Sequence, residues 1–152
     1  VASDPRAAVL AALPHRPPFL FVDRIVERTH DSIVTEWDVP EELECFKGHY
    51  PGHPVLPGVL ICEFTFQSAA IFFDDARSKN IAPGSVPVIA RIENARFKKM
   101  VQPGETLRAE VALEDSLANV RYLRAQVTSQ GATVLRVKFT VAWTDDGAAE
   151  DA

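Results

Sequence analysis

One stretch of this chain leaves the fold few options. From Pro57 to about Lys79 the spacing predicts a helix, yet Val59–Cys62, Phe64, Phe66 and Ala69–Phe73 leave it almost no polar face. A helix that is apolar nearly all round has to be buried on every side. Pro57 suits its first position, where a missing N–H costs no hydrogen bond. The rest of the chain must therefore supply a wrapper. "FLFVDRIVE" and "SIVTEWDV" read as two strands joined by "RTHD". After "NIAPGSVP" the apolar period becomes two: Leu107, Ala109, Val111 and Leu113, then Leu123, Ala125 and Val127, then Leu135, Val137, Phe139, Val141 and Trp143. "QPGE" and "SQGA" supply turns. Ahead of these, Pro5 to Leu13 reads as a short amphipathic helix, and "PEELECF" as one or two helical turns. Two strands before the buried helix and three or four after it predict an α+β domain, with an antiparallel sheet curled around one long helix. The 152 residues fit one such domain, 1–152, with residues 145–152 as a frayed tail.

Composition removes several functions. A net charge of −5 argues against nucleic-acid binding. No apolar run is long enough to span a bilayer, and the start lacks the basic-then-apolar layout of a signal peptide, so no membrane association and a cytoplasmic location are expected. Cys45 and Cys62 have neither disulfide-framework nor metal-site spacing, and Cys62 reads as a small buried hydrophobe. Arg96, Lys98 and Lys99 in "ARFKKM" form one basic cluster, read first as a strand edge whose lysines discourage aggregation.

The chemistry concentrates in "FKGHYPGHPVLPGVLICE", Phe46 to Glu63. Residues that precede proline are pushed out of the helical region, so Tyr50, His53 and Leu56 are expected to be extended and the loop stiff. Gly58 opens the buried helix, where unpaired N–H groups can receive a carbonyl oxygen that gains negative charge. Glu63 follows five residues later, about 7.5 Å along the axis. Burial among apolar groups is expected to raise its pKa, so that it can hold a proton, while neutral His49 is the natural base. Gln67 shares the face of Glu63, and Asp74 continues it. A base, an acid and an oxyanion site fit removal of a proton next to a carbonyl with loss of a β-hydroxyl as water. The plainer alternatives stay open: His49 as a hydrogen-bond donor that ties a tight loop, and Glu63, Gln67 and Asp74 as a solvent-facing stripe. His53 reads as a loop residue, and His15 and His30 lie near turns without an evident partner.

Three blocks, "LPHRPPFLFVDRI", "GHYPGHPVLPGVLICE" with Gln67, and "ARFKKMVQPGE", together resemble the FabZ-type 3-hydroxyacyl-acyl-carrier-protein dehydratases. They stand in that family's order between Leu13 and Glu105. The resemblance implies the hot-dog fold and a homodimer or trimer of dimers. It implies sites at the dimer interface, with the catalytic histidine, here His49, from one subunit and the catalytic carboxylate, here Glu63, from the other. Gly58 takes the position of the backbone donor to the thioester carbonyl, and Gln67 that of a partner to Glu63 or its water, within the substrate-binding set. No metal or organic cofactor is implied. An acyl carrier protein would deliver the substrate, with Arg96, Lys98 and Lys99 as docking candidates. The family's alanine-rich run after the glutamate, near "EAMAQ", reads "EFTFQ" here, which makes Phe64 and Phe66 candidates for the acyl tunnel or for simple repacking. Glu63 stands where the dehydratase/isomerase branch has aspartate, so isomerisation is not expected. Two alternatives remain: a hot-dog acyl-thioesterase, which would not need the His49 loop, and a non-catalytic acyl-thioester binder, which would not need both reactive residues.

Overall fold

A computed structural model describes residues 4–74 and 84–144. The chain order is α1 (Pro5–Ala12), β1 (Arg24–Arg28), β2 (Ser32–Asp38), a 3-10 turn (Glu44–Lys47), α2 (Gly58–Phe72), β3 (Val86–Phe97), β4 (Thr106–Leu117), β5 (Val120–Ser129) and β6 (Ala132–Thr144). The six strands make one antiparallel sheet in the order β1-β2-β4-β5-β6-β3. Register shifts interrupt four of the five ladders. Such bulges add an unpaired residue and bend the strand, which lets the sheet curl.

The curl encloses α2. Ile61, Phe64, Ile71 and Phe72 on the helix are almost wholly buried, as are Leu107, Leu123, Leu135 and Phe139 on the facing strands. Each such large side chain contributes about 1.5–3 kcal/mol relative to exposure. The polar residues of α2 are satisfied locally. Thr65 Oγ1 donates to Ile61 O, Ser68 Oγ donates to Phe64 O, and Ser68 and Thr35 share a hydroxyl contact of 2.7 Å. The predicted wrapped helix is therefore the observed one, with four strands after it. No helix among the described residues is long and apolar enough to cross a membrane.

Four boundaries differ from the sequence pattern. Pro57 caps α2 rather than opening it, with Gly58 as the first helical residue. The helix stops at Phe72, where Phe73 N–H turns back to Ala69 O and Ile71 O and an Arg28 N–H reaches Ile71 O. Asp74 consequently lies beyond the helix and exposed, not on the Glu63 stripe; residues 75–79, expected in the helix, fall outside the described residues, as does the tail 145–152. The first strand begins at Arg24, because the backbone at Phe19 and Phe21 bonds to the Gln67 side chain instead of a neighbouring strand.

Candidate active site

The helix places Glu63 and Gln67 one turn apart, and Gln67 is the fixed point. It is 1% exposed and every donor it has is spent. Its Oε1 accepts from Phe21 N–H at 2.9 Å, while Nε2 donates to Phe19 O and to Glu63 Oε1, both at 3.2 Å. Gln67 thus acts on Glu63 and on the segment after α1, with no N–H left for a substrate. Glu63 is not sunk in the core: its side chain keeps 24% exposure and borders a cavity of about 330 Å³. Phe66, Ala70, Phe73 and Val141 give that cavity apolar walls. His15 also lines it, with Nε2 3.8 Å from Glu63 Oε1. Burial, and then the adjacent Glu63 charge, push the Cys62 thiol up from its ordinary value.

His49 is held by a different part of the chain. Its N–H bonds to Cys45 O at 2.9 Å, anchoring it to the 3-10 turn, and Leu56 N–H bonds to Val101 O at 2.8 Å at the loop's other end. His49 Nδ1 lies 2.7 Å from Val55 O. A carbonyl can only accept, so Nδ1 carries a proton and Nε2 is the ring nitrogen left to act as a base. Tyr50 departs from expectation. Its φ is +58°, not extended, because the chain reverses through a turn closed by His53 N–H to Tyr50 O. Its ring stands edge-on to His49 at 4.9 Å. His53 is exposed in a broad groove beside Met100. His49 and Glu63 share no hydrogen bond or ion pair within the chain among the described residues, and the cavity beside Glu63 is not lined by His49.

Gly58 opens α2 with an N–H that, like those of any first turn, has no helical acceptor. A Cβ there would lie 2.7 Å from Phe97 Cε1 and 2.9 Å from Cζ. The close approach at Gly58 is thus by the chain's own Phe97 ring, which lies against the helix start and is half exposed. Among the described residues no group of three or more His, Cys, Asp or Glu side chains is poised to hold a metal ion.

Comparison with known proteins decides the family. Residues 25–135 match the ApeI-like family, described as ApeI dehydratase. The 3-hydroxyacyl-[acyl-carrier-protein] dehydratase FabZ of Acidiphilium cryptum is 37% identical over 145 residues, which is 95% of this chain and 87% of that protein. The FabZ of Chloroflexus aggregans is 41% identical over 136 residues, 88% of this chain and 92% of that one. The chain belongs to the FabZ-type dehydratases. Its sheet-wrapped helix is the hot-dog fold, and it superposes on the dehydratase heterocomplex ApeI:P from Xenorhabdus doucetiae with a TM-score of 0.72 at 12% identity over 91% of each chain.

Within this FabZ-type chain the two phenylalanines after Glu63 part ways. Phe64 is wholly buried against Trp37, 5.9 Å between rings, and does not line the cavity. Phe66 does line it, edge-on to Phe139 at 5.0 Å. The basic candidates divide too. Lys99 is tied to Glu105 at 3.0 Å, whereas Arg96 and Lys98 are exposed and Arg96 lies across from Arg136 on β6. Sequence reading missed His15, which seemed partnerless. The signal was its place in the first block of the FabZ-type pattern, but only the fold brings residue 15 to residue 63.

Proposed function

We propose that this protein dehydrates 3-hydroxyacyl thioesters carried on acyl carrier protein to trans-2-enoyl thioesters, within fatty-acid or related lipid biosynthesis. His49 Nε2 takes the C2 proton, the Gly58 N–H steadies the thioester oxygen as charge grows on it, and Glu63 protonates the C3 hydroxyl as it leaves as water. The proton gained by His49 balances the one lost by Glu63, so one water is released per turnover. The observation that carries this reading is the clamp of Gln67 on Glu63 at the edge of an apolar cavity, in a chain of the FabZ family. That cavity would receive the acyl chain. Arg96 and Lys98 remain candidates for docking the carrier protein, and a cytoplasmic location suits such a partner.

The working unit in this proposal is a homodimer, itself open to assembly as a trimer of dimers, and each site draws His49 from one subunit and Glu63 from the other. Two features support it. His49 and Glu63 do not meet within one chain, and the edge strand β3 exposes Val88, Ile92 and Phe97, with Val59 of α2 also exposed. The test follows enoyl absorbance with 3-hydroxyacyl carrier-protein substrates for the native chain, His49→Ala and Glu63→Gln. Reversible interconversion lost in both variants is the expected result; thiol release without enoyl product refutes dehydration. Mixing the two inactive variants should restore about a quarter of native activity if sites are shared across a two-fold interface, and none if each chain holds a whole site.

A further inference from the structure

Glu63 has two oxygens in different surroundings. Gln67 Nε2 reaches Oε1 at 3.2 Å, and His15 Nε2 faces the same oxygen at 3.8 Å, whereas Oε2 has no partner among the described residues. His15 is not casually placed. Its ring stacks on Phe19, 6.3 Å between centroids at 28°, and its backbone carbonyl accepts from Arg16 Nη1 at 2.7 Å. The Arg16 guanidinium also bonds Leu13 O and Leu10 O, which pins the loop to the end of α1. The other ring nitrogen, Nδ1, is buried without a hydrogen-bond partner. A proton there would be a buried donor with no acceptor, so the geometry puts the ring proton on Nε2, toward Glu63 Oε1. Hydrogen bonds of this kind are commonly long in the unliganded site and tighten around substrate.

We propose that His15 is a positioning residue for Glu63, acting with Gln67 to hold Oε1 so that Oε2 is the oxygen that delivers the proton to the substrate hydroxyl. Two donors on one oxygen fix the carboxyl's rotation and leave the second oxygen without a protein donor, on a side chain that borders the cavity. His15 and Glu63 are the titratable groups among the cavity's lining residues; Arg16 is turned to carbonyls and Cys62 is buried beside Glu63.

The test has a kinetic arm, which rests on the dehydration reading, and a spectroscopic arm, which does not. In the full chain, His15→Leu should lower kcat about tenfold to a hundredfold with KM little changed, and His15→Gln, which keeps an N–H donor, should recover most of the loss. Melting temperatures of both variants separate misfolding from misplacement. Native kcat in His15→Leu, or equal losses in both variants at native melting temperature, overturns the proposal. Long-range ¹⁵N–¹H spectra of the native chain should show His15 as the Nε2–H tautomer, with shifts that move in Glu63→Gln. An Nδ1–H tautomer, or a ring indifferent to Glu63→Gln, refutes it without any substrate. A native chain that dehydrates nothing refutes the proposed activity instead, and the spectra then decide the role of His15.

Discussion

Replacing Gln67 with methionine tests the clamp most directly, since methionine keeps the length and apolar volume but removes both ends of the hydrogen-bonding set. Phe21 N–H would lose its acceptor in a segment that is itself 3% exposed, so a buried donor would be stranded. That alone costs about 1–3 kcal/mol. Phe19 O and Glu63 Oε1 sit where water can replace Nε2, so each adds only about 0.5 kcal/mol. The sum, about 2–4 kcal/mol, lowers the melting temperature of a chain this size by about 5–15 °C. Thr65→Val is the control: its hydroxyl is equally buried, but it donates to a carbonyl in the same helix and its removal should cost under about 1 kcal/mol. The assay is thermal unfolding at one fixed protein concentration, because self-association would shift the midpoint with concentration. Dehydration is measured on the same samples, and kcat should fall at least as far as in His15→Leu. A Gln67→Met protein that melts within about 2 °C of native would refute the accounting, since it would mean the Phe21 N–H had found another partner or water.

Three further outcomes follow from the geometry. Gly58→Ala drives a Cβ to within 2.7 Å of the Phe97 ring; the half-exposed ring can swing aside, so stability should change by no more than about 1 kcal/mol while kcat/KM drops, and Gly58→Ala with Phe97→Ala should regain part of it. Phe66→Ala should open the cavity beside Glu63, move the best substrate to longer acyl chains and cost about 2–4 kcal/mol in unfolding experiments; an unchanged chain-length profile would leave Phe66 as packing against Phe139 alone. Glu105 concerns acid stability. Burial raises its pKa, but Gln102 N–H, Ser129 Oγ–H and Lys99 outweigh that and hold it below the ordinary 4.5. A carboxylate depressed in the folded state contributes stability that is complete above 4.5 and lost as the pH falls through its folded value. Denaturant titrations of Glu105→Gln should therefore give a lower plateau at neutral pH and a shallower decline below 4.5; equal slopes on that acid limb would remove Glu105 from it.

How much of this could be read from the residues depends on the range of the interaction. Period-two patterns gave β4, β5 and β6 with their buried faces, because alternation is a local consequence of the strand pleat. The all-round apolarity of α2 gave the wrapped helix for the same reason. The helix's end was not visible: Phe72, Phe73 and Asp74 continue a helical pattern, and what stops it includes Arg28, far back in the sequence, bonding to Ile71 O. The first strand was read five residues too early because Phe19–Asp23 is apolar enough for a strand, yet the Gln67 amide takes backbone bonds there. Tyr50 was misread because the proline rule describes local sterics, and a turn closed at His53 with a ring against His49 overrode it.

The site was legible as parts and not as an assembly. The spacing of Glu63 and Gln67 is local, so their shared face followed from helix geometry, whereas His15 joins them only through the tertiary fold. The reading of "ARFKKM" as a guarded strand edge meets a harder fact. β3 ends at Phe97, so Lys98 and Lys99 lie past it, and Lys99 is occupied by Glu105. Along the strand, exposed Val88, Ile89 and Ile92 stand among Arg91 and Glu93, which pair at 3.0 Å, and exposed Arg96. The ladder groups on the free side of this edge strand remain available to another strand. Within the chain, His49 and Glu63 share no hydrogen bond or ion pair among the described residues. In the proposed dimer, self-association along β3 would cover the edge, and the mixing experiment tests whether the same association brings a partner's His49 to Glu63. Blocking the edge with Ile92→Lys should then abolish activity together with the dimer, although Ile92 belongs to neither reactive set.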